Sequence, residues 1–192
     1  MKKLIAILLV LTMMFALVAC GEKEEKTDAP ATDAPVVDDG GSAADVSGET
    51  YNVGNFTVLV PTGWMEVAVD DMWSDDGATD PNKVQIIKDG TSEFDILTKA
   101  YIQIDYYGPE TDLMAPSSEW YDEAADLEPV VAGDYTWTGF SAVSGGNNMV
   151  TLWTGEAGGP QYQATLWCNG EYTISVTDAD VLAILASVAP AA

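Results

Sequence analysis

The feature that most constrains this chain is an abrupt change of composition near Glu49. Residues 20–48 consist mainly of Lys, Glu, Asp, Thr, Ala, Pro, Gly and Ser, with almost no large apolar side chain. Such a segment buries too little surface to offset the entropy of ordering, so we predict a disordered acidic tether there. From Glu49 onward Tyr, Val, Phe, Ile and Trp recur at short intervals. The roughly 140 residues that follow have the usual size of one domain, so we predict a single globular domain over residues 49–192.

Most of this domain has the period of β-strands. Ile102 and Ile104 alternate with Gln103 and Asp105, which predicts a central strand over residues 99–107. Further strands are predicted at residues 51–60, 64–69, 83–88, 135–143, 148–154, 161–168 and 171–176. The last two would form a hairpin through Asn169-Gly170 and place Trp167 opposite Tyr172.

Two segments have the period of helices instead. Trp120, Ala124 and Leu127 share one helical face, which predicts a mid-chain helix over residues 116–127. A second apolar stripe predicts a C-terminal helix over about residues 178–187, and the preceding Thr177-Asp178-Ala179-Asp180 resembles a capping box with Asp in place of the usual Glu. We therefore expect an α+β fold, in which both helices pack on one antiparallel β-sheet.

Two stretches resemble the PsbP/DcrB-like family. Residues 56–64 (FTVLVPTGW) are similar to that family's opening strand, which is followed by Pro, a turn and Trp, and residues 180–188 are similar to its closing helix. The resemblance implies an α/β/α sandwich. It also implies a non-catalytic accessory or binding protein, since most members are of that kind, but it assigns no functional residue to this chain.

The first 20 residues have the pattern of an export signal. Lys2 and Lys3 precede an apolar run over residues 4–19 that ends at Cys20, so we predict a signal peptide over residues 1–19. The ending Leu-Val-Ala-Cys resembles the lipobox of bacterial lipoproteins. The resemblance implies a diacylglycerol on the Cys20 sulfur, cleavage before Cys20, and anchoring to the cell membrane on its extracytoplasmic side. An uncleaved membrane anchor is the alternative, but the run is shorter than the roughly 20 residues that span a bilayer.

Charge and cysteine content limit the partners and the chemistry. The chain has a formal net charge of −24 and no histidine, which excludes nucleic acid as a partner because phosphate binding needs clustered cations. Anionic headgroups would repel it as well, so the lipid must provide the membrane contact. The second cysteine, Cys168, is left without an intramolecular disulfide partner. No histidine or arginine is present to lower its pKa, so we interpret it as a small buried apolar residue.

An acidic loop surrounds Trp73 and could bind Ca²⁺. Its carboxylates belong to Asp70, Asp71, Asp75, Asp76 and Asp80. Ser74 and Met72 interrupt the alternating acids that an EF-hand requires. A solvated loop is therefore the favoured interpretation, with no cofactor predicted and Ca²⁺ kept as the alternative.

Aromatic residues offer a second kind of site. The chain has six Trp and eight Tyr, and Trp73, Trp137 and Trp153 could stack on a glycan or hold a peptide. Trp64, Trp120 and Trp167 lie at spacings typical of buried side chains.

An enzyme is the least favoured class. Without histidine, acid and base catalysis would fall to carboxylates, as in a glycosidase pair, and no phosphate loop or nucleophile elbow is present. We therefore expect a lipid-anchored, non-catalytic binding or scaffold protein that binds an envelope protein, peptide or glycan. A Ca²⁺-dependent or glycan-binding surface module and a carboxylate-based hydrolase remain as alternatives.

Overall fold

The computed structural model describes residues 45–192, so Cys20, the predicted signal peptide and most of the predicted tether lie outside the described residues. The strands are β1 (Gly48–Asn52), β2 (Phe56–Pro61), β3 (Trp64–Asp70), β4 (Thr79–Lys88), β5 (Tyr101–Tyr107), β6 (Asp122–Asp126), β7 (Val130–Ala132), β8 (Tyr135–Ser144), β9 (Asn147–Gly155), β10 (Gln161–Trp167) and β11 (Ala189–Pro190). The one α-helix in this part of the chain is α1 (Ala179–Ser187), and 3-10 turns cover Glu93–Leu97 and Ser118–Trp120.

The strands form two sheets in which every pair of neighbours is antiparallel. The large sheet has the order β3-β4-β5-β10-β9-β8, and the outer edge of β8 pairs with β6 at one end and with β7 at the other. The small sheet has the order β1-β2-β11. Strand β10 therefore lies between β5 and β9, although it is the last long strand in the chain.

The main core includes apolar side chains of both sheets and of α1. Phe56 and Val58 of β2, with Ile184 and Leu185 of α1, pack in one cluster with Ile102 and other residues of the large sheet. All of these side chains are fully buried, and at about 1.5 to 3 kcal/mol for each large aliphatic side chain their burial is a main source of stability.

Two polar contacts hold α1 in place beside this core. The backbone N–H of Leu59 donates to the Ser187 hydroxyl at 2.7 Å, and Trp64 Nε1 donates to the Asp180 carboxylate at 3.0 Å. Both ends of the helix are thereby tied to the chain around the β2–β3 turn.

The predicted fold class is wrong. The described chain is mostly antiparallel β-sheet in two sheets, with one α-helix, and not the α/β/α sandwich that the family resemblance implied. The predicted mid-chain helix over residues 116–127 is absent there, and a 3-10 turn (Ser118–Trp120) and β6 (Asp122–Asp126) occupy that segment. Pairing with β6 satisfies backbone groups of β8 that would otherwise be unpaired at the sheet edge, and this outweighs a helical stripe that contains only one large aliphatic residue, Leu127.

The predicted hairpin after β10 is also wrong. Residues 171–176 form no strand, and only an isolated bridge joins Asn169 to Tyr172. The Asn169 side chain instead donates to the carbonyl oxygens of Ile96 and Lys99, at 3.2 and 2.7 Å. This turn is therefore tied to the β4–β5 connection.

The C-terminal helix occurs where the apolar stripe predicts it. Its N-cap residue is Asp178, but the Asp178 carboxylate accepts from the Ser175 N–H at 3.0 Å and makes no cap hydrogen bond, so the predicted capping box is wrong. Residues 51–60 also differ from prediction, because a turn at Gly54 divides them between β1 and β2.

Candidate functional site

Alternation along the strands gives the large sheet two different faces. In β5, Ile102 and Ile104 point into the core, so Gln103 and Asp105 point the opposite way. We call the second surface the polar face. Its members are Lys83, Gln85, Tyr101, Gln103, Asp105, Thr151, Trp153, Gln163, Thr165 and Trp167.

Antiparallel register aligns these side chains in rows across the strands. One row runs Lys83, Asp105, Gln163, Trp153, and the next runs Gln85, Gln103, Thr165, Thr151. A third row includes Tyr101, Trp167 and Met149. Neighbouring strands lie about 4.8 Å apart, so members of a row are side-chain neighbours.

A chain of hydrogen bonds joins the first two rows. Gln85 Nε2 donates to Gln103 Oε1 at 3.0 Å, and Gln103 Nε2 donates to Asp105 Oδ2 at 2.9 Å. Lys83 Nζ lies 3.3 Å from Asp105 Oδ1. The buried Asp105 carboxylate is therefore neutralised by Lys83 and fixes the orientation of both amides.

Threonine hydroxyls form the base of the same surface. The Thr151 and Thr165 hydroxyl oxygens are 3.4 Å apart, and Gln163 Nε2 donates to the Thr165 hydroxyl at 3.5 Å. Both threonines are buried, whereas Gln85, Gln103 and Gln163 are half-buried. Unlike the threonines, the amides are thus within reach of solvent.

Aromatic rings border the amides. Tyr101 and Trp167 stack with their centroids 6.3 Å apart and 20° between the ring planes, and Trp153 lies edge-on to Phe140 at 6.3 Å. Burial raises the pKa of the Tyr101 hydroxyl, so it stays a neutral donor at physiological pH. Tyr101, Trp153 and Trp167 keep part of their surface exposed.

Residues 108–121 cross the polar side of the sheet. This segment leaves β5 in the interior of the sheet and reaches β6 at its edge. On the way the Thr111 carbonyl accepts from Gln161 Nε2 at 3.1 Å, and Tyr121 packs on Phe140 at 5.6 Å between ring centroids. Gln161 is two residues from Gln163, and Phe140 lies opposite Thr151, so both belong to this side of the sheet.

The structure does not bring together the three tryptophans predicted to bind a glycan or peptide. Trp73 is 91% exposed on the β3–β4 loop, whereas Trp137 is fully buried in the core. Trp153 lies opposite Thr138 in the register, which places Trp137 and Trp153 on opposite faces of the sheet. Of the three, Trp153 belongs to the polar face.

The other predictions about single residues are partly confirmed and partly wrong. Trp64 is buried as predicted, but Trp120 is 80% exposed because its segment is not a helix. Trp167 is half-buried on the polar face, and Cys168 is half-buried with its thiol donating to the Ile174 carbonyl at 3.6 Å. Sequence reasoning missed Gln85 and the other amides of the polar face, although the alternation in β5 already indicated two chemically different faces.

The acidic loop uses its carboxylates to hold its own backbone. Asp71 accepts from the Trp73 N–H at 2.9 Å, and Asp80 accepts from the Asn82 N–H at 2.9 Å. The Ser74 hydroxyl donates to Asp76, which lowers the pKa of that carboxyl. Within residues 45–192 no three His, Cys, Asp or Glu side chains are grouped as a metal site, so the structure does not assemble Asp70, Asp75 and their neighbours around an ion.

Several concavities of the described chain lie outside the polar face, and the two largest of these have different linings. One of about 650 Å³ is lined by Tyr106, Glu110 and the amides of Asn55 and Asn82, which bond to each other at 2.8 Å. The other, of about 490 Å³, includes Leu97 and Tyr172. Neither concavity is lined by a hydrogen-bonded network as extensive as that of the polar face within residues 45–192.

No helix within residues 45–192 is long and apolar enough to cross a membrane. Neither a protein-family model nor a curated protein matches the chain. Among solved structures, a crystal structure from Bacteroides thetaiotaomicron VPI-5482 is similar, with 9% sequence identity and a TM-score of 0.41. The match covers 76% of this chain and 49% of that chain, so it spans about half of the other protein's length. This likeness is too distant to define a family or a function.

Proposed function

We propose that this chain is a non-catalytic binding protein of the bacterial envelope, anchored through a diacylglycerol on Cys20 and binding its ligand through the polar face. The anchor rests on the lipobox-like ending of the N-terminal apolar run. The binding role rests on the polar face, where the hydrogen-bonded chain from Lys83 to Gln85 holds amides at a half-exposed surface.

The polar face supports binding because its amides are held in position before any ligand arrives. A surface glutamine normally loses rotamer freedom when it binds, which costs up to about 2 kcal/mol. Here Gln103 is already fixed between Gln85 and Asp105. Such preorganisation lowers the entropic cost of recognition.

The two acids with shifted pKa values, Asp76 and Asp95, are not poised as proton donors. A carboxylic acid that donates a proton near neutral pH needs a raised pKa. Hydrogen bonds instead lower the pKa of Asp76, and they lower that of Asp95 to about 2. Neither acid is suited to the role that a carboxylate-based hydrolase would require.

The anchor can be tested by replacing its cysteine. In a bacterial host that makes the full chain, we expect Cys20→Ala to release the protein from the membrane fraction, because no acyl chains would then hold it. Fractionation with mass spectrometry of the N-terminal peptide measures this, and Cys168→Ala is the matched control that should stay in the membrane. Membrane retention of Cys20→Ala without an acylated peptide in the wild type would show that the anchor is wrong.

A further inference from the structure

We infer that the polar face binds an uncharged polysaccharide. This inference rests on the proposed function, since it names the ligand class of the same surface. It is carried by the local charge, by the donors and acceptors left available, and by the position of the surface within the sheet.

Local charge argues against an ionic ligand. The chain as a whole has a formal net charge of −24, yet the two charged members of the polar face, Lys83 and Asp105, neutralise each other at 3.3 Å. A polyanion would be repelled by the rest of the protein, and a polycation would find more carboxylates elsewhere. The members of the polar face therefore carry no net charge and match a neutral ligand. The acids of the segment that crosses this side of the sheet, Glu110, Asp112 and Glu119, further disfavour a polyanion.

The available hydrogen-bonding groups complement hydroxyls. Each glutamine amide has two N–H donors and one carbonyl acceptor with two lone pairs. Within residues 45–192, Gln85 and Gln163 each use one N–H and keep a carbonyl oxygen without a donor, while Gln103 keeps its second N–H. A hydroxyl both donates and accepts, so a polyol can use both kinds of free group at once.

The position of the surface argues against an extended peptide as the ligand. Peptides that bind sheets as an added strand need a free edge with unpaired backbone groups. β5 and β10 are interior strands, paired on both sides, so their backbone groups are already used. At these strands a ligand can therefore contact only side chains, so the ligand must be bound through its own substituents, such as hydroxyl groups.

The aromatic border suits sugar rings. Trp153 and the Tyr101–Trp167 stack present partly exposed ring surface next to the amides. The apolar C–H face of a pyranose can pack on such rings while its hydroxyls bind the amides, the usual combination in ligand sites. Within a row the side chains recur about every 4.8 Å, so the polar face offers repeated contacts, which favours a polymer over a single sugar.

Cosedimentation of the full mature lipoprotein with insoluble polysaccharides tests the inference. The probes are curdlan, xylan and chitin. The protein is kept in micelles of a detergent that has no sugar headgroup, because a sugar headgroup would compete with the probes for the polar face. We expect at least one probe to bind the wild type and Gln103→Glu to weaken that binding tenfold or more, because the new carboxylate removes a donor and faces Asp105. Trp73→Ala, at an exposed position away from the network, is the matched control and should bind like the wild type.

The outcomes separate the ligand class from the binding surface. Circular dichroism melting of Gln103→Glu and of the double variant Gln85→Ala/Gln103→Ala establishes that each is folded. Binding of none of the three polysaccharides overturns the inference. If polygalacturonate or a casein digest binds and Gln103→Glu weakens it, the ligand class is wrong and the proposed binding surface stands. Polysaccharide binding that neither polar-face variant changes would overturn both.

Discussion

The two faces of the large sheet are built from the same strands but have opposite chemistry. In β5 the buried Ile104 lies between Gln103 and Asp105, and in β10 the buried Ala164 lies between Gln163 and Thr165. One face is covered by the small sheet and α1 and packs as a dry core. The other has a hydrogen-bonded network of charged, amide and hydroxyl groups.

The two faces differ in whether their buried polar groups have hydrogen-bond partners. On the polar face the buried groups, such as Asp105 and Thr151, have partners. On the covered face Trp137 Nε1 and the Tyr162 hydroxyl are buried without a partner among residues 45–192. Stability should therefore come mainly from the covered face, whose apolar packing outweighs these two groups, and ligand recognition from the polar face.

The strongest test of this difference between the two faces is to shorten two adjacent side chains of β5, one on each face. We expect Ile104→Ala to lower the free energy of unfolding by about 2 to 5 kcal/mol, because it leaves a cavity in a fully buried site. Gln103→Ala, one residue away, should cost about 1 kcal/mol, since it removes two hydrogen bonds at a half-exposed surface. Urea unfolding of both variants measures the difference. Equal losses would mean that the polar face also carries the fold.

A smaller effect should come from a buried hydroxyl of the covered face. Burial, and after it the neighbouring Tyr135 and Tyr106 hydroxyls, raise the pKa of Tyr162, yet within residues 45–192 its hydroxyl makes no hydrogen bond of acceptable geometry. We expect Tyr162→Phe to raise the free energy of unfolding by up to about 1 kcal/mol, because it removes an unpaired polar atom from the core.

Tyr135→Phe is the matched control for that change. The Tyr135 hydroxyl donates to the Val188 carbonyl at 2.8 Å, so its removal should lower stability by about 1 kcal/mol. Thermal unfolding of the two variants gives the sign of each effect. A loss of stability in Tyr162→Phe would show that its hydroxyl is hydrogen-bonded, which would leave Trp137 Nε1 as the unpaired buried group of the covered face among residues 45–192.

The smallest effect is expected outside both faces, in the β4–β5 connection. Asp95 accepts from the Thr91 N–H at 2.8 Å and pairs with Lys99 at 3.0 Å, which lowers its pKa from 3.8 to about 2. A lowered folded-state pKa stabilises the fold above about pH 4, and this contribution is lost as the pH falls towards 2. The melting temperatures of wild type and Asp95→Asn should therefore differ above pH 4 and converge towards pH 2.

Asp134→Asn, at an exposed position on a turn, controls for the loss of one negative charge. Its melting temperature should follow that of the wild type through the same pH range. A constant gap between wild type and Asp95→Asn down to pH 2 would show that the hydrogen bonds of Asp95 do not depend on its ionisation.

Alternation predicted most of the strands because burial on one face imposes a period of two residues. Residues 99–107, 135–143, 148–154 and 161–168 were predicted close to the bounds of β5, β8, β9 and β10. Helix α1 was predicted because its stripe includes Val181 and Leu185, which are fully buried. Local pattern was sufficient wherever it agreed with the tertiary environment.

Prediction failed where long-range pairing decided the outcome. The stripe from Trp120 to Leu127 is helical in period, but the unpaired edge of β8 takes this segment as β6. The strength of Asn169-Gly170 as a hairpin signal was likewise overridden by the bonds from Asn169 to the β4–β5 connection. The polar face could not be located from sequence, because its rows combine β4, β5, β9 and β10, and only the register shows which residues meet.

The central place of β10 in the sheet has a consequence for folding. A chain that emerges from its N-terminus presents β3, β4 and β5 well before β10 follows. Until then β5 and β9 are open edges, which are the surfaces through which unfinished sheets aggregate. The two halves of the sheet can join only after β10 has been made and is free to pair, so completion of this fold waits on its last long strand.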